Sequence, residues 1–475
     1  MEKLKSKISE FFKAVPSSEW QTAVLMIFLT AAVIVLIRYG SLIIGNVGEW
    51  TWGKQNLALG GRTVWYLVFG VFYLIFCYFA LKRNLRPAIL LPLAIASSVI
   101  LMLLVLSFRG DWITLLGGMI RHTGITSYFA DAPPAGELRG FLSNYSGHLG
   151  SLHLHSQTHP PGPIVFFYFI KQLAYSLANF IVIDPAKLSG LVLVFAASLT
   201  VVPLYYLIRN FESKIAPTAG VLLCAIYPSL ILFTVEFDQV YPLLFTTIIL
   251  LYVLGMKKCH ALYFVLSGLL LAVSLYFSFL FLAVPLLLLI LVILLFFKRS
   301  EKTAAYFKAT NFITLNAILA ISFLAANILY QVFGGENLYS VYCGTMIYHH
   351  LFLSSMSYQP WLFFNLLDFG LFLGVPIALA LILAFGESFY RLINQKKIST
   401  LFWLFFLFIV ILDLLGKNRG ETARIWMFVG PLALAGVSGW FARLEKGKAM
   451  AFLTVFLVLV QILMFNKYLI LIGLS

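Results

Sequence analysis

The chain has 475 residues and a formal net charge of +15, and it is 61% hydrophobic but only 11% charged. Soluble domains are about 25% charged, so this composition excludes an ordinary soluble protein. The Lys and Arg are scattered over short loops, which is typical of membrane topology and makes nucleic acid an unexpected partner. The four cysteines have no paired spacing, so we predict neither a disulfide framework nor a cysteine metal site.

Apolar runs long enough to cross a bilayer recur along almost the whole chain. Lipid offers no hydrogen bonds to a bare backbone, so helices are the expected spanning form. We therefore predict one all-α polytopic domain over 1–475 with about 13 transmembrane helices and a helical region at the outer surface. The predicted spans lie near 21–42, 63–81, 87–107, 188–208, 216–234, 240–256, 261–276, 279–297, 309–332, 361–385, 400–415, 424–442 and 449–472.

Basic residues predict the orientation. With the N-terminus and the amphipathic segment 1–20 in the cytoplasm, the inner loops hold most of the Lys and Arg. The segment 164–183 is apolar enough to cross, but a crossing would reverse this bias, and Lys171 lies in its middle. We expect it to dip into the outer interface without crossing.

This orientation places two long loops on the outer face, 108–187 with juxtamembrane helices and 333–360. Long loops in compact proteins are often functional. Seven of the eight histidines fall in these loops, namely His122, His148, His153, His155, His159, His349 and His350.

The first outer loop begins "FRGDWITLLGGMIRH", where Asp111 leaves a predicted span. Asp is favoured as a helix N-cap. A carboxylate at this boundary could equally accept a proton from a hydroxyl nucleophile. Both interpretations stay open, with Asp131 in "FADAPP" as the second candidate base. Arg121, His122 and His349 are further candidate site residues.

The motif "THPPGP" at 158–163 constrains the backbone before an apolar helix. Pro160 biases His159 towards an extended conformation, Gly162 gives slack for a turn, and Pro163 suits a first helical turn. A rigid helix entry explains the motif. It would also hold His159 at the interface, where the ring could contact a phosphate or a hydroxyl.

Two sets of residues could hold a divalent cation such as Mg²⁺ or Mn²⁺. Glu236 and Asp238 in "VEFDQ" form a polar hairpin turn that could bind a cation with a phosphate. The second set is the trio His153, His155 and His159, although solvated loop histidines are the competing interpretation.

The segment "GKNRGETARIWMF" carries Arg419, Glu421 and Arg424 at the start of a span. Arg424 stands outside against the positive-inside trend, which a phosphate ligand would explain. Glu421 is favoured by the helix dipole. Glu421 and Arg424 are spaced i, i+3 and could instead pair with each other.

The order of these pieces resembles the GT-C superfamily of integral-membrane glycosyltransferases, including bacterial aminoarabinose transferases and protein O-mannosyltransferases. "HPPGP" resembles the "PP" element that opens their juxtamembrane helix, and "DPAKLSGLVLVFAASL" resembles the following break and span. "EFDQVYPLLFTTIILLYVL" resembles a second acidic outer turn, and "ETARIWMFVGPLALAGV" resembles their late "RY-x-x-P"-type span. The resemblance covers roughly 108–256 and 416–440. "GDW" has a single Asp where those families have an acidic pair.

The resemblance implies a polyprenyl-phosphate sugar donor and inverting transfer to a glycan, lipid or protein acceptor at the outer face of a bacterial or archaeal plasma membrane. Asp111 or Asp131 would be the general base. Arg424, with Arg419 or His159, would hold the donor phosphate.

Two other classes fit the composition. A transporter or flippase of lipid-linked saccharides would have charges near the middle of the membrane and broken helices. A polymerase or ligase of envelope glycans would use a similar donor and outer loops.

Overall fold

The computed structural model describes residues 19–58, 60–125, 127–178, 180, 182–212, 215–298 and 301–471. Helices dominate this part of the chain, and its strands are two residues long, so the predicted all-α class is confirmed for the described residues. The predicted amphipathic segment 1–20 lies outside them, apart from its last two residues.

The α-helices, in chain order, are α1 (Glu19–Arg38), α2 (Arg62–Arg83), α3 (Pro87–Ser107), α4 (Trp112–Arg121), α5 (Leu138–Ser143), α6 (Tyr145–His148), α7 (Leu154–Gln157), α8 (Gly162–Leu177), α9 (Pro185–Ser198), α10 (Val201–Phe211), α11 (Ala216–Ala225), α12 (Pro228–Leu232), α13 (Tyr241–Lys258), α14 (Ala261–Phe277), α15 (Val284–Lys298), α16 (Glu301–Ala304), α17 (Ala309–Val332), α18 (Leu338–Leu353), α19 (Tyr358–Gln395), α20 (Thr400–Leu414), α21 (Thr422–Ile425), α22 (Gly430–Phe441) and α23 (Gly447–Tyr468). Short 3-10 helices lie between them at Ser127–Phe129, Leu149–Ser151, Phe237–Val240, Phe279–Ala283 and Trp426–Val429.

Ten helical segments of the described chain are long and apolar enough to cross a membrane: Glu19–Arg38, Arg62–Arg83, Pro87–Ser107, Pro185–Phe211, Phe237–Lys258, Phe279–Lys298, Ala309–Val332, Tyr358–Gln395, Thr422–Phe441 and Gly447–Tyr468. Three shorter apolar segments lie at Ala216–Leu232, Ala261–Phe277 and Thr400–Leu414. Each predicted span overlaps one of these segments. The chain is a multi-pass integral membrane protein.

The core of the bundle lies around α11 and α22, which pack against each other and whose residues are all buried. Helix α17 lies at the periphery, where only Leu315 and Asn327 are buried. Helix α17 packs against α14.

Helix α8 has 16 residues, or about 24 Å, which is less than the roughly 30 Å of a hydrocarbon core. The predicted role of Gly162 as slack for a turn is wrong, because Gly162 is the first residue of the helix. A Cβ there would lie 2.1 Å from the carbonyl oxygen of Tyr276. Glycine is needed for this close approach to the end of α14.

Two small antiparallel pairs brace the segment between α1 and α2. Strand β1 (Gly45–Asn46) pairs with β2 (Trp50–Thr51), and β3 (Gly53–Lys54) pairs with β4 (Leu469–Ile470) after α23. Glu49 in the first hairpin accepts hydrogen bonds from the Ser357 N–H at 3.0 Å and the Trp361 indole N–H at 2.6 Å. The hairpin is thereby fixed against the start of α19.

Helix α19 is broken inside the bundle at Gly374, whose φ is 118°. The break frees backbone groups that cannot bond within the helix. The side chain of Gln461 satisfies two of them: it accepts from the Val375 N–H at 2.8 Å and donates to the Leu371 carbonyl at 2.7 Å.

Candidate functional site

Three carboxyl groups from two distant segments converge on Arg424. Its Nη1 lies 2.8 Å from Asp238 Oδ2 and 3.5 Å from Glu236 Oε2. Its Nη2 and Nε lie 2.6 and 3.1 Å from Glu421 Oε2. The i, i+3 pair considered from the sequence is therefore present, within a larger cluster. We call Arg424, Glu421, Glu236 and Asp238 the acidic cluster.

The backbone around Glu421 is held in an unusual conformation. Gly420 and Glu421 have φ values of 81° and 52°, and the second is uncommon for a residue with a side chain. Asp368, buried in α19, accepts hydrogen bonds from the Ala423 N–H at 2.8 Å and the Thr422 hydroxyl at 3.2 Å. These bonds offset the strain and fix the direction of Glu421 and Arg424.

The turn that carries Glu236 and Asp238 is fastened by Gln239. Gln239 is fully buried, and its Nε2 donates to the Thr234 hydroxyl at 3.2 Å and contacts Met102 Sδ of α3 at 3.5 Å. The two acids are themselves 7% exposed. Their placement is therefore set by packing against α3 as well as by Arg424.

Burial and charge act differently on the acids of the cluster. Burial raises the pKa of Glu236 to about 8; Arg424 opposes the rise, and the Asp238 and Glu421 carboxylates add to it. Burial also disfavours ionisation of Glu421, but Arg424 outweighs it and holds the pKa of Glu421 below its usual range. Arg424 thus favours the ionised form of Glu421, whereas burial favours the protonated form of Glu236.

Residues of the loop 108–187, which is predicted to lie outside, pack over this cluster. The ring of Tyr128 lies edge-on to His159 at 5.6 Å and to Phe237 at 5.9 Å. The Tyr145 hydroxyl bonds the His159 carbonyl at 2.9 Å and so holds the "HPPGP" segment in place. The charges of Arg424 and Glu421 both act on the pKa of the His155 ring, in opposite directions.

His159 and His155 are neutral rings. Burial lowers the pKa of His159 to about 3, and the neighbouring His155 adds to this. Burial and Arg424 lower the pKa of His155. His159 Nδ1 donates to the His155 carbonyl at 2.8 Å, while His155 Nε2 lies 3.3 Å from the Gly124 carbonyl oxygen.

The structure places Asp111 at the N-cap of α4. Its carboxylate accepts from the Thr114 N–H at 2.9 Å and the Thr114 hydroxyl at 2.7 Å. These bonds hold the pKa of the exposed Asp111 below its usual range, with Lys187 as a nearby positive charge. The cap considered from the sequence is present; a role as base stays a prediction. At the other end of α4, Arg121 pairs with Asp184, and His122 is the exposed C-cap.

Asp131 and His153 form one unit in the structure. His153 Nδ1 lies 2.6 Å from Asp131 Oδ1, and the His153 N–H donates to Oδ2 at 3.2 Å. His349 Nε2 lies 3.0 Å from the Lys417 carbonyl oxygen. Arg419 donates to the Leu353 and Met356 carbonyls.

The described residues contain no group of three or more His, Cys, Asp or Glu side chains arranged to hold a metal ion. The three histidines of the predicted trio bond to different groups: His153 to Asp131, His155 to the Gly124 carbonyl and His159 to the His155 carbonyl. Between Glu236 and Asp238, the position of a cation is taken by the Arg424 guanidinium.

Sequence reasoning missed the residues that orient the cluster. Asp368 accepts the indole N–H of Trp52 at 2.6 Å in addition to its bonds with the 422–423 backbone and hydroxyl. The available signal was an acidic residue within an apolar span, which is costly unless it has partners. Trp52 and Glu49 had no such signal, because their hydrogen bonds join the N-terminal hairpin segment to residues of α19 and its N-cap that are more than 300 positions away.

No protein-family model matches the chain, and no curated protein matches it significantly. A buried carboxyl group with a raised pKa can exchange a proton with a hydroxyl group, and two further acids and neutral histidines can hydrogen-bond a polyol.

Proposed function

We propose that the chain is a GT-C-type glycosyltransferase that moves a sugar from a polyprenyl-phosphate donor to an acceptor hydroxyl, with inversion at the sugar carbon. The observation that carries the proposal is the acidic cluster under the first outer loop, in which three carboxyl groups from two distant segments surround Arg424. Such a cluster suits sugar hydroxyls, which both donate and accept hydrogen bonds.

Glu236 would be the general base. A base works best when its pKa is near the working pH, and the pKa of about 8 meets that condition. In the transfer, the acceptor O–H bond breaks and its proton passes to Glu236. The acceptor oxygen bonds to the sugar carbon as the bond to the phosphate oxygen breaks, and that electron pair stays on the phosphate.

Asp111, the base that the resemblance implies, is a weaker candidate. An exposed carboxylate with a lowered pKa has less affinity for a proton than Glu236 does. Asp131 contacts His153 through both of its carboxylate oxygens, so its lone pairs are less free than those of an unpaired base.

The proposed orientation has the N-terminus inside and the acidic cluster outside, with 13 crossings. It is supported by the basic loops and by the three short apolar segments, which complete the set of predicted spans. Helix α8 then lies in the outer interface.

The test is sugar transfer by the purified chain in lipid nanodiscs, with a panel of radiolabelled polyprenyl-phosphate sugars and extracted envelope lipids and glycans as acceptors. We expect transfer from at least one donor and its loss in Asp238→Asn. The matched control is Glu387→Gln, which alters an acid bonded to Arg443 at 2.9 Å in a separate acid–arginine cluster. Equal transfer by wild type and Asp238→Asn would contradict the proposal.

A flippase of lipid-linked saccharides is the second candidate, favoured by the broken helix α19 and by Asp368 within the same helix. In transporters the backbone groups freed by a helix break bind the substrate or its coupling ion. Here Gln461 already satisfies groups on both sides of Gly374. Movement of a fluorescent lipid-linked saccharide across liposomes without any transfer would favour this candidate over the transferase.

A further inference from the structure

Arg109 lies directly after α3, where the first outer loop begins. Its N–H donates to the Leu106 carbonyl at 3.1 Å, so the helical turn continues past Ser107. Its Nη2 is buried and has no hydrogen-bond acceptor in the described part of the chain. Arg419 and Arg443 also have a buried unsatisfied nitrogen, but their other nitrogens have acceptors.

Arg109 as a whole is half-buried, but a guanidinium nitrogen that is buried without an acceptor is costly. An unsatisfied buried donor destabilises the folded state, and more so when the group is charged. Burial lowers the pKa of Arg109, yet arginine keeps its proton in proteins. An anion from outside the chain would satisfy the buried Nη2. At the level of the membrane interface, lipid phosphates are such anions, and they match the planar guanidinium.

The residues predicted to hold a donor phosphate are occupied. Arg424 gives its donors to three carboxyl groups, and Arg419 donates to backbone carbonyls. His159 is neutral. The excess of acid in the acidic cluster would repel a phosphate, so the phosphate must bind beside the cluster.

Helix α3 connects Arg109 to the acidic turn. Met102, which contacts Gln239 at 3.5 Å, precedes Arg109 by seven residues, or about two turns and 10 Å. Residues seven apart lie on nearly the same helix face. Arg109 is thus expected about two turns from Gln239, along the side of α3 that packs against the 236–240 turn.

We propose that Arg109 binds the phosphate of a membrane lipid, either a polyprenyl phosphate or a phospholipid headgroup. In glycosyl transfer that phosphate would be the donor's, and this last step rests on the proposed function. There the guanidinium would stabilise the charge left on the phosphate when the sugar departs.

The test is lipid binding by the full chain, measured by native mass spectrometry with undecaprenyl phosphate, undecaprenol and phosphatidylglycerol as probes. Arg109→Gln should weaken undecaprenyl phosphate binding about tenfold or more and leave undecaprenol binding unchanged. The control Arg62→Gln alters an exposed arginine at the start of α2 and should bind all three probes like the wild type.

The probes separate the two sources. A loss confined to undecaprenyl phosphate assigns the site to the donor, and an equal loss for phosphatidylglycerol assigns it to the headgroup. Unchanged binding of both phosphate lipids would overturn the proposal. If Arg109→Gln does not fold, Arg109→Lys keeps the charge but loses the forked donors; wild-type binding in that variant would overturn it too. Binding is measured without transfer, so failure of the transferase proposal would be a separate result.

Discussion

The buried carboxylate of Asp368 accepts the N–H of Ala423 at 2.8 Å and thereby fixes the residue before Arg424. The same carboxylate accepts the Trp52 indole N–H at 2.6 Å. One acid in α19 thus joins the N-terminal hairpin segment to the loop that carries the acidic cluster. The orientation of Arg424 therefore depends on a residue that does not contact it in any described bond.

Asp368→Asn should destabilise the protein by about 1–3 kcal/mol, because its new NH₂ group faces donors that have lost an acceptor. Trp52→Phe removes only one of those donors and should cost less. Thermal unfolding in detergent measures both. A larger loss in Trp52→Phe than in Asp368→Asn would contradict this role of Asp368.

The raised pKa of Glu236 predicts opposite pH trends for stability and activity. Because the folded pKa of about 8 exceeds the usual carboxyl value of 4.5, the folded state binds more protons between these values. Its contribution to stability is present below about 4.5 and is lost as the pH rises through about 8. Transfer should rise over the same range as Glu236 ionises.

The matched variant for the stability trend is Glu236→Gln. Its melting temperature should fall less between pH 5 and 8 than that of the wild type. The measurement is thermal unfolding across that range. The same slope in wild type and variant would assign the pH dependence to another group.

Asp111 can be tested as cap and as base separately. Asn is as good an N-cap as Asp, whereas Ala costs about 1 kcal/mol. We expect Asp111→Asn to keep both stability and transfer, and Asp111→Ala to lose a little stability. If Asp111→Asn folds but does not transfer sugar, the general base would be Asp111 and not Glu236.

Gly162→Ala should destabilise the protein by about 1–3 kcal/mol, because the new methyl group would meet the Tyr276 carbonyl oxygen at 2.1 Å. Gly118→Ala is the control, since a Cβ at Gly118, within α4, meets nothing within 4 Å. Melting temperatures compare the two. Equal values would show that the α8–α14 contact relaxes freely.

The ten long apolar helices could be predicted from sequence because each is a local apolar run of sufficient length. The acidic turn at 236–238 and the i, i+3 pair of Glu421 and Arg424 were also local patterns. Their convergence was not predictable, since Glu236 and Arg424 are 188 residues apart and no local rule relates them. The same holds for Trp52 and Asp368.

In the "HPPGP" segment, the structure agrees with the prediction for Pro163 and differs from it for Gly162. Pro163 lies in the first turn of α8 as predicted. Gly162 is needed for another reason than a turn, namely its close backbone contact with α14. That helix lies more than a hundred residues later in the chain. Spacing within the motif contains no information about that neighbour.

The role of Glu236 as general base is tested most directly by the initial rate of sugar transfer in Glu236→Gln, measured beside Glu387→Gln and wild type at the same donor concentration. We predict that Glu236→Gln loses transfer by about 100-fold or more while keeping its fold, and that Glu387→Gln transfers like the wild type. Transfer at the wild-type rate in a folded Glu236→Gln would show that Glu236 is not the base.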